Sequence, residues 1–271
     1  MKTPLIAGLL AALFPLAALA ADWRTPDPAE TLVIDTSQGR IVVELAPEVA
    51  PRAVARVKQL AREGVYDGLQ FHRVIEGFVA QTGNPNNRDG GTSDHPDLEP
   101  EFTFRLTPAL AGEVTMVTQA SDGRTGFLRS LPLAVVSTAE AARGGLPRAW
   151  GAYCPGVLGM GRQADPGSAN SEIFVMLEAA RRLDRDYTPF GRVIAGLDVA
   201  RSLAVGEPPA APDRMLRVAL AADLPEDERP SLEVADPNGE TFKTRVAALR
   251  AEQGADFTLC DVEIPVRAPP R

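Results

Sequence analysis

The chain has 271 residues, and its 36 Asp and Glu against 28 Lys and Arg give a formal net charge of −8 at pH 7. This acidic balance argues against a surface that binds nucleic acid or anionic membranes. With 23 Gly, 24 Pro and only 6 % aromatic residues, the composition favours a loop-rich, strand-rich fold over a helical bundle.

The first twenty residues have the pattern of a secretory signal peptide. Lys2 is their only charge, Leu5 to Leu19 is almost wholly apolar, and Ala18-Leu19-Ala20 offers small residues at a cleavage site. The alternative is a membrane anchor, but the apolar run is short for ~30 Å of hydrocarbon, and Pro15 interrupts it. We expect cleavage after Ala20, a periplasmic or secreted protein, and no membrane contact after cleavage.

Two short β-rich runs follow, Thr31 to Ile34 and Ile41 to Leu45, with Gly39 between them. They predict a hairpin in which the glycine supplies a positive φ. Residues Glu48 to Glu63 have apolar side chains at helical spacing, and Gly64 stands where a helix C-terminus is expected.

The rest of the chain is predicted to be mainly strands, with a short helix at Leu197 to Leu203. Residues of about 110–153 are hard to assign, apart from an apolar run at Leu131 to Val136 and a weak helix at Ser137 to Arg143. Strand-like runs are Phe71–Thr82, Glu101–Leu106, Val157–Met160, Ile173–Leu177, Pro189–Ile194 and Met215–Ala221. After residue 223 the pattern predicts the strand Leu232–Val234, a helix around Phe242–Glu252 and a last strand near Phe257–Val266.

Several kinds of active site are absent from the sequence. The only histidines, His72 and His95, form no zinc-binding spacing with the two cysteines, Cys154 and Cys260. A G-x-S-x-G nucleophile elbow and a P-loop are also missing. We therefore expect chemistry without a metal or a cofactor. In an exported chain the two cysteines could form a disulfide, or they could remain two buried thiols.

Three blocks of the sequence, in order, resemble the cyclophilin-type peptidyl-prolyl isomerases. They are YDGLQFHRVIEGFVAQTG at Tyr66–Gly83, GVLGMGRQADPGSANSEIFV at Gly156–Val175 and LDRDYTPFGRVIAGLDV at Leu183–Val199. The resemblance covers residues 29–222, except an insertion at about 110–153. It implies a mainly β fold, an eight-stranded antiparallel β-barrel capped by two helices. Residues 223–271 would form a small α/β extension, and a Cys154–Cys260 bridge would tie the insertion to it or to the barrel.

The resemblance also implies the site residues. Arg73 falls on the catalytic arginine of the family, and Gln81 falls on its partner glutamine. Eight further residues fall on the peptide- and proline-binding positions: Phe78, Val79, Gly161, Arg162, Glu172, Phe174, Leu183 and Tyr187. Taken alone, Arg73 would be interpreted as an exposed strand arginine, and Phe78, Phe174 and Leu183 as ordinary core residues.

The chemistry of X–Pro rotation explains these residue types. The barrier is ~20 kcal/mol because amide resonance must be lost. No bond is made or broken, so neither a nucleophile nor a titrating base is required. A fixed guanidinium can donate a hydrogen bond to the prolyl nitrogen of the twisted transition state, and an apolar pocket can hold the ring.

Glu172 is the main departure from the family pattern, which usually has glutamine there. If its carboxylate lies within ~4–6 Å of Arg73, it could orient the guanidinium or compete for it. We predict an isomerase that acts on proline-containing peptides and unfolded exported proteins and assists their folding. The alternative is a non-catalytic or weakly active proline-peptide binding module on the same barrel.

Overall fold

The computed structural model describes residues 22–120, 123–136 and 145–269. The predicted signal peptide, with its cleavage site after Ala20, and the predicted helix Ser137–Arg143 lie outside these residues. Within the described ranges, no helix combines the length and the apolar character needed to cross a membrane.

The described residues form mostly short strands. The strands are β1 Trp23–Arg24, β2 Thr31–Thr36, β3 Gly39–Leu45, β4 Arg73–Ile75, β5 Val79–Thr82, β6 Phe104–Arg105, β7 Val114–Ala120, β8 Gly123–Leu128, β9 Leu131–Val136, β10 Arg148–Gly151, β11 Val157–Met160, β12 Ile173–Met176, β13 Pro189–Ala195, β14 Met215–Leu220, β15 Glu233–Ala235 and β16 Val266–Arg267. The helices are α1 Pro51–Arg62, α2 Pro108–Glu113, α3 Leu197–Arg201 and α4 Glu240–Gln253.

The main sheet is an eight-stranded antiparallel barrel. Its strand order is β14-β2-β3-β13-β11-β12-β5-β4, and pairings of Gln70 with Arg214 and of Val74 with Gly206 join the β4 edge to the chain around β14. Side chains of the inner face, among them Leu32, Ile41 and Phe190, are fully buried. The predicted β-barrel is confirmed.

Two helices cover the barrel. Helix α1 packs on β13 and β14 and buries Val54, Val57 and Leu60, whereas α3 packs on β3. The α1 helix begins at Pro51, a position that suits proline because no intrahelical N–H is needed there. It ends before Gly64, whose φ of +69° stops the helix.

The two hairpins differ in how well the sequence predicted them. The β2–β3 hairpin forms as expected, and Gly39 has a φ of +139°. The strand-like run Phe71–Thr82 contains two strands, because the chain turns at Gly77, with a φ of +66°, and makes the hairpin of β4 and β5. This turn places Arg73 directly opposite Gln81.

Residues between 104 and 151 contribute a second sheet, with the order β6-β10-β9-β8-β7. The expected strand Glu101–Leu106 is reduced here to Phe104–Arg105. The sheet shares a core with α4, in which the rings of Phe127 and Phe242 meet edge to face at 5.3 Å. Phe174 of the barrel belongs to the same apolar cluster, so the second sheet supports one wall of the barrel.

A third, three-stranded sheet joins the two ends of the described chain, in the order β1-β15-β16. The strand predicted at Phe257–Val266 is wrong except at Val266, where β16 begins. Asp261 accepts hydrogen bonds from the backbone N–H of Thr258 over 2.6 Å and from its hydroxyl over 2.8 Å. The bond from the Thr258 N–H is one half of a capping box, whose other half is the Asp261 N–H donating to the Thr258 side chain, so the segment folds into a helical turn instead of extending.

Cys154 and Cys260 form a disulfide, with their Cα atoms 4.9 Å apart. The bridge ties the C-terminal segment to the chain just before β11. Arg192 of β13 lies next to it, is buried, and donates hydrogen bonds to the carbonyl oxygens of Pro155, Ser130 and Val262 over 3.2, 3.2 and 3.3 Å. Barrel, second sheet and C-terminal segment therefore meet at one point.

Candidate active site

The structure brings all ten predicted site residues to one open cavity of about 210 Å³. Residues from the strands β4, β5 and β12 and from three connecting segments meet there. The lining consists of Arg73, Phe78, Val79, Gln81, Gly161, Arg162, Glu172, Phe174, Leu183 and Tyr187. The cavity therefore combines an apolar surface with two arginines, Arg73 and Arg162, whose side chains are 27 % and 11 % exposed.

Arg73 is held on two sides. Its Nη1 donates to the side-chain oxygen of Gln81, the residue opposite on β5. Its Nε donates to Glu207 Oε2 over 2.6 Å. A guanidinium has five N–H groups, and these contacts leave N–H groups for a ligand. Sequence reasoning missed Glu207, because it lies in a Gly-Glu-Pro-Pro stretch that indicated only a turn.

Glu172 acts on Gln81 and does not touch Arg73. Gln81 Nε2 donates to Glu172 Oε1 over 2.6 Å, and Asn84 Nδ2 donates to Glu172 Oε2. Among the described residues, Glu172 makes neither a hydrogen bond nor an ion pair with Arg73, so it orients the guanidinium through Gln81 instead of competing for it.

The Glu172 carboxyl lies in a poorly hydrated place. Burial raises its pKa, while the hydrogen bonds from Asn84 and Gln81 and the charge of His72 act in the opposite direction. A built Cβ at Gly161 would lie 2.3 Å from Glu172 Oε1. Glycine at position 161 therefore makes room for the carboxylate.

His72 lies behind Glu172 and is buried. Its Nε2 is 3.0 Å from Asp89 Oδ1 and 3.8 Å from Glu172 Oε2. The ligand atoms of these three residues lie within 4.8 Å of one another, so their types and spacing could hold a cation. Both oxygens of Glu172 already accept amide N–H groups, so a cation would compete with the contacts that orient Gln81.

The apolar wall of the cavity is built on Phe174. Its ring stacks on Tyr153, with the centroids 5.7 Å apart, and meets the edge of Tyr187 at the same distance. Sequence reasoning also missed Tyr153, which is fully buried and supports the wall from behind. Phe78 closes another side, and the guanidinium of Arg182 lies 4.5 Å from its ring centroid.

Arg162 forms the rim near Tyr187. Its Nη2 is 2.7 Å from Asp186 Oδ1, and its guanidinium lies 4.6 Å from the centroid of the Tyr187 ring. Gly161, next to it, donates its N–H to the Glu172 carbonyl over 2.8 Å. The rim is thus fixed by an ion pair and by backbone pairing, and the Arg162 guanidinium is held between Asp186 and the Tyr187 ring.

Comparison with known proteins agrees with this geometry. Residues 31–220 match the family model of the cyclophilin type peptidyl-prolyl cis-trans isomerase/CLD. A probable peptidyl-prolyl cis-trans isomerase of Brucella suis is 30 % identical over 213 residues, which cover 73 % of this chain and 85 % of that protein. The peptidyl-prolyl cis-trans isomerase ppi1 of Schizosaccharomyces pombe is 31 % identical over 174 residues, 64 % of this chain and 83 % of that protein.

A solved structure resembles nearly the whole chain. The crystal structure of cyclophilin AquaCyp293 from Hirschia baltica superposes with a TM-score of 0.81 at 33 % identity, covering 92 % of this chain and 95 % of that one. Residues 1–220 make up less than 92 % of the chain, so the structural similarity must continue into the residues after the barrel.

Proposed function

This chain belongs to the cyclophilin-type peptidyl-prolyl cis-trans isomerases, and we propose that Arg73 carries its catalysis and that its substrates are proline-containing segments of exported proteins. The observation that supports the role of Arg73 is its position. It is fixed by two neighbours and yet lines the cavity beside Phe78 and Phe174.

The reaction requires rotation about an amide, and its barrier of ~20 kcal/mol comes from lost resonance. As the bond twists, the prolyl nitrogen becomes pyramidal and its lone pair can accept a hydrogen bond. Arg73 donates to that lone pair, and because the planar ground-state amide offers none, the contact favours the transition state. Arginine suits this role since it remains charged and its planar donors are oriented by Gln81.

The apolar wall accounts for the choice of proline. Phe78, Phe174 and Leu183 form a surface on which a pyrrolidine ring can be buried. With the ring held, the residue before proline turns relative to it. The cavity is open, so a peptide segment can enter without a lid, and an unfolded chain is a suitable substrate.

The exported location rests on two observations. The first twenty residues have the pattern of a signal peptide, and the described chain has its two cysteines paired, which suits an oxidising compartment. We infer a periplasmic or secreted enzyme that assists the folding of proteins in the same compartment. Expression of the full chain with its native N-terminus tests this, because the mature protein should begin at Ala21 and should contain no free thiol when unfolded without reductant.

Replacement of Arg73 by alanine tests the catalytic role. We expect kcat/KM for a short Xaa-Pro peptide, measured by NMR exchange, to fall about 10²- to 10³-fold. Arg217→Ala is the matched control, because Arg217 is another strand arginine in an ion pair of 2.6 Å, with Glu228, away from the cavity. If Arg73→Ala and the parent protein isomerise the peptide at equal rates, the arginine has no catalytic role and the cavity is only a proline-binding site.

A further inference from the structure

Strand β4 has a second backbone partner besides β5. The Val74 N–H donates to the Gly206 carbonyl over 2.8 Å, and the Gly206 N–H donates to the Val74 carbonyl over 2.9 Å. The pairing is antiparallel, so the residue before Val74 faces the residue after Gly206. Arg73 and Glu207 are therefore cross-strand neighbours, whose side chains lie on one face of the sheet.

Arg73 is thus bracketed by its two cross-strand neighbours, Gln81 on β5 and Glu207 on the opposite side. Gln81 accepts from Nη1, and Glu207 Oε2 accepts from Nε over 2.6 Å. Contacts at two different nitrogens of a planar group fix its tilt as well as its position. With Gln81 alone, the guanidinium could still turn about that single hydrogen bond.

The chain around Glu207 is stiff. Gly206 has a φ of +152°, and a Cβ there would lie 2.5 Å from Pro209 Cα, so only glycine fits. Pro208 and Pro209 follow, and their rings restrict φ. Glu207 itself is 54 % exposed, but the backbone that carries it has few alternative conformations.

If Glu207 is removed, the Arg73 side chain can move into a second cavity. This second cavity, of about 120 Å³, also borders Arg73 and is lined by His72, Arg73, Asn87, Arg88, Asp89, Glu207 and Pro208. Arg73 lines both cavities. Arg73 therefore borders both the proline cavity and a second space that is large enough to accept part of its guanidinium.

We propose that Glu207 is a positioning residue for the isomerisation, which keeps the Arg73 guanidinium facing the proline cavity instead of the second cavity. The inference rests on the proposed catalytic role of Arg73. Glu207 acts through Arg73 and does not touch the substrate. Its effect is on kcat, because the apolar surface that binds the proline ring remains unchanged when Glu207 is replaced.

Three variants test the proposal. Glu207→Ala removes the acceptor. We expect kcat to fall about fivefold, which corresponds to the free energy of a partly exposed ion pair, and KM to stay within about twofold of the parent value. Glu207→Gln retains an oxygen that accepts from Nε, so its kcat should lie between those of Glu207→Ala and the parent. Glu228→Ala, which removes the carboxylate of another exposed ion pair of 2.6 Å, should leave kcat and KM unchanged.

A second measurement follows Arg73 itself. In the parent protein the Nε–H of Arg73 should exchange slowly with solvent, and in Glu207→Ala its NMR signal should shift and exchange faster. If Arg73→Ala abolishes catalysis while Glu207→Ala retains the parent kcat or exceeds it, Glu207 does not position the arginine and the proposal is wrong. If Arg73→Ala retains the parent rate, the proposed role of Arg73 fails first, and the two failures are thereby distinguished.

Discussion

Gln81 Nε2 donates a hydrogen bond to Glu172 Oε1 over 2.6 Å. An ionised carboxylate only accepts hydrogen bonds, whereas an amide can present either its oxygen or its NH2 group. Glu172 therefore fixes the Gln81 amide with its NH2 toward the carboxylate and its oxygen toward Arg73. A glutamine at position 172, as is usual in the family, would accept or donate and would not impose this choice.

The first prediction concerns Glu172→Gln. The Gln81 amide then has two orientations of similar energy, and the orientation that turns its NH2 toward Arg73 cannot accept from the guanidinium. We expect kcat/KM for an Xaa-Pro peptide to fall about two- to fivefold, a change that corresponds to one hydrogen bond of ~1 kcal/mol. The assay is NMR exchange. If parent and variant are equally inactive, the cavity is not catalytic, and if they are equally active, Glu172 has no orienting effect.

Gly161→Ala is the matched variant for that prediction, because it displaces the carboxylate without changing any charge. The added Cβ would come within 2.3 Å of Glu172 Oε1, so the side chain must move away from Gln81. A fall in kcat/KM of similar size is expected. A normal rate in Gly161→Ala combined with a slow Glu172→Gln would mean that the charge of Glu172 matters and its hydrogen bond to Gln81 does not.

The second prediction is a pH dependence that the reaction itself does not require. The pKa of Glu172 is raised, mainly by burial, with His72, Asp89, Asn84 and Gln81 facing the carboxyl. As the pH falls through this raised pKa, the carboxyl takes up a proton, becomes able to donate, and no longer fixes Gln81. We expect kcat/KM to decrease on the acid side in the parent protein and to remain flatter in Glu172→Gln.

Stability separates this effect from acid unfolding. A carboxyl whose pKa is raised in the folded state binds its proton more tightly there than in the unfolded chain, so its protonation stabilises the fold as the pH falls. Its contribution to the free energy of unfolding thus rises over the range in which activity falls. Urea denaturation at each pH measures it, with Glu172→Gln as the reference. A loss of activity that follows a loss of folded protein would contradict the prediction.

The sequence predicted which residues line the cavity better than it predicted which side chains contact one another. Matches to the family blocks placed Arg73, Gln81 and the apolar wall, since these residues lie within contiguous motifs. Glu207 could not be found in this way. It reaches Arg73 through one isolated backbone pairing between segments 134 residues apart, and hydrophobic periodicity carries no information about such a pairing.

Turn chemistry explains the other differences. The run Phe71–Thr82 has strand composition throughout, and only the positive φ of Gly77 divides it into two strands. At the C-terminal end, the apolar residues near Phe257 suggested a strand, whereas the side chain of Asp261 closes a turn on Thr258. In both cases a local interaction of one residue outweighed the propensity of its neighbours.

The third prediction concerns the disulfide. Cys154 and Cys260 are separated by 106 residues, and closing so long a loop restricts the unfolded chain strongly. We expect the double variant Cys154→Ala/Cys260→Ala to lose about 2–4 kcal/mol in the free energy of unfolding. Urea denaturation with and without reductant measures the loss, and the double variant itself should not respond to reductant. If reductant also leaves the free energy of unfolding of the parent protein unchanged, the bridge does not stabilise the fold.

The fourth prediction concerns Arg192, which is 4 % exposed and whose pKa burial lowers to about 10, so that it remains charged at neutral pH. Its hydrogen bonds go to carbonyl oxygens of three segments. In Arg192→Met these oxygens lose their donors, and we expect a loss of about 3 kcal/mol in the free energy of unfolding. Arg217→Met, at an arginine that is 46 % exposed, should lose at most about 1 kcal/mol. Because Arg192 and the disulfide hold the same segments together, removing both should cost less than the sum of the two losses. Equal losses for the two arginine variants in urea denaturation would show that the three carbonyl contacts contribute nothing.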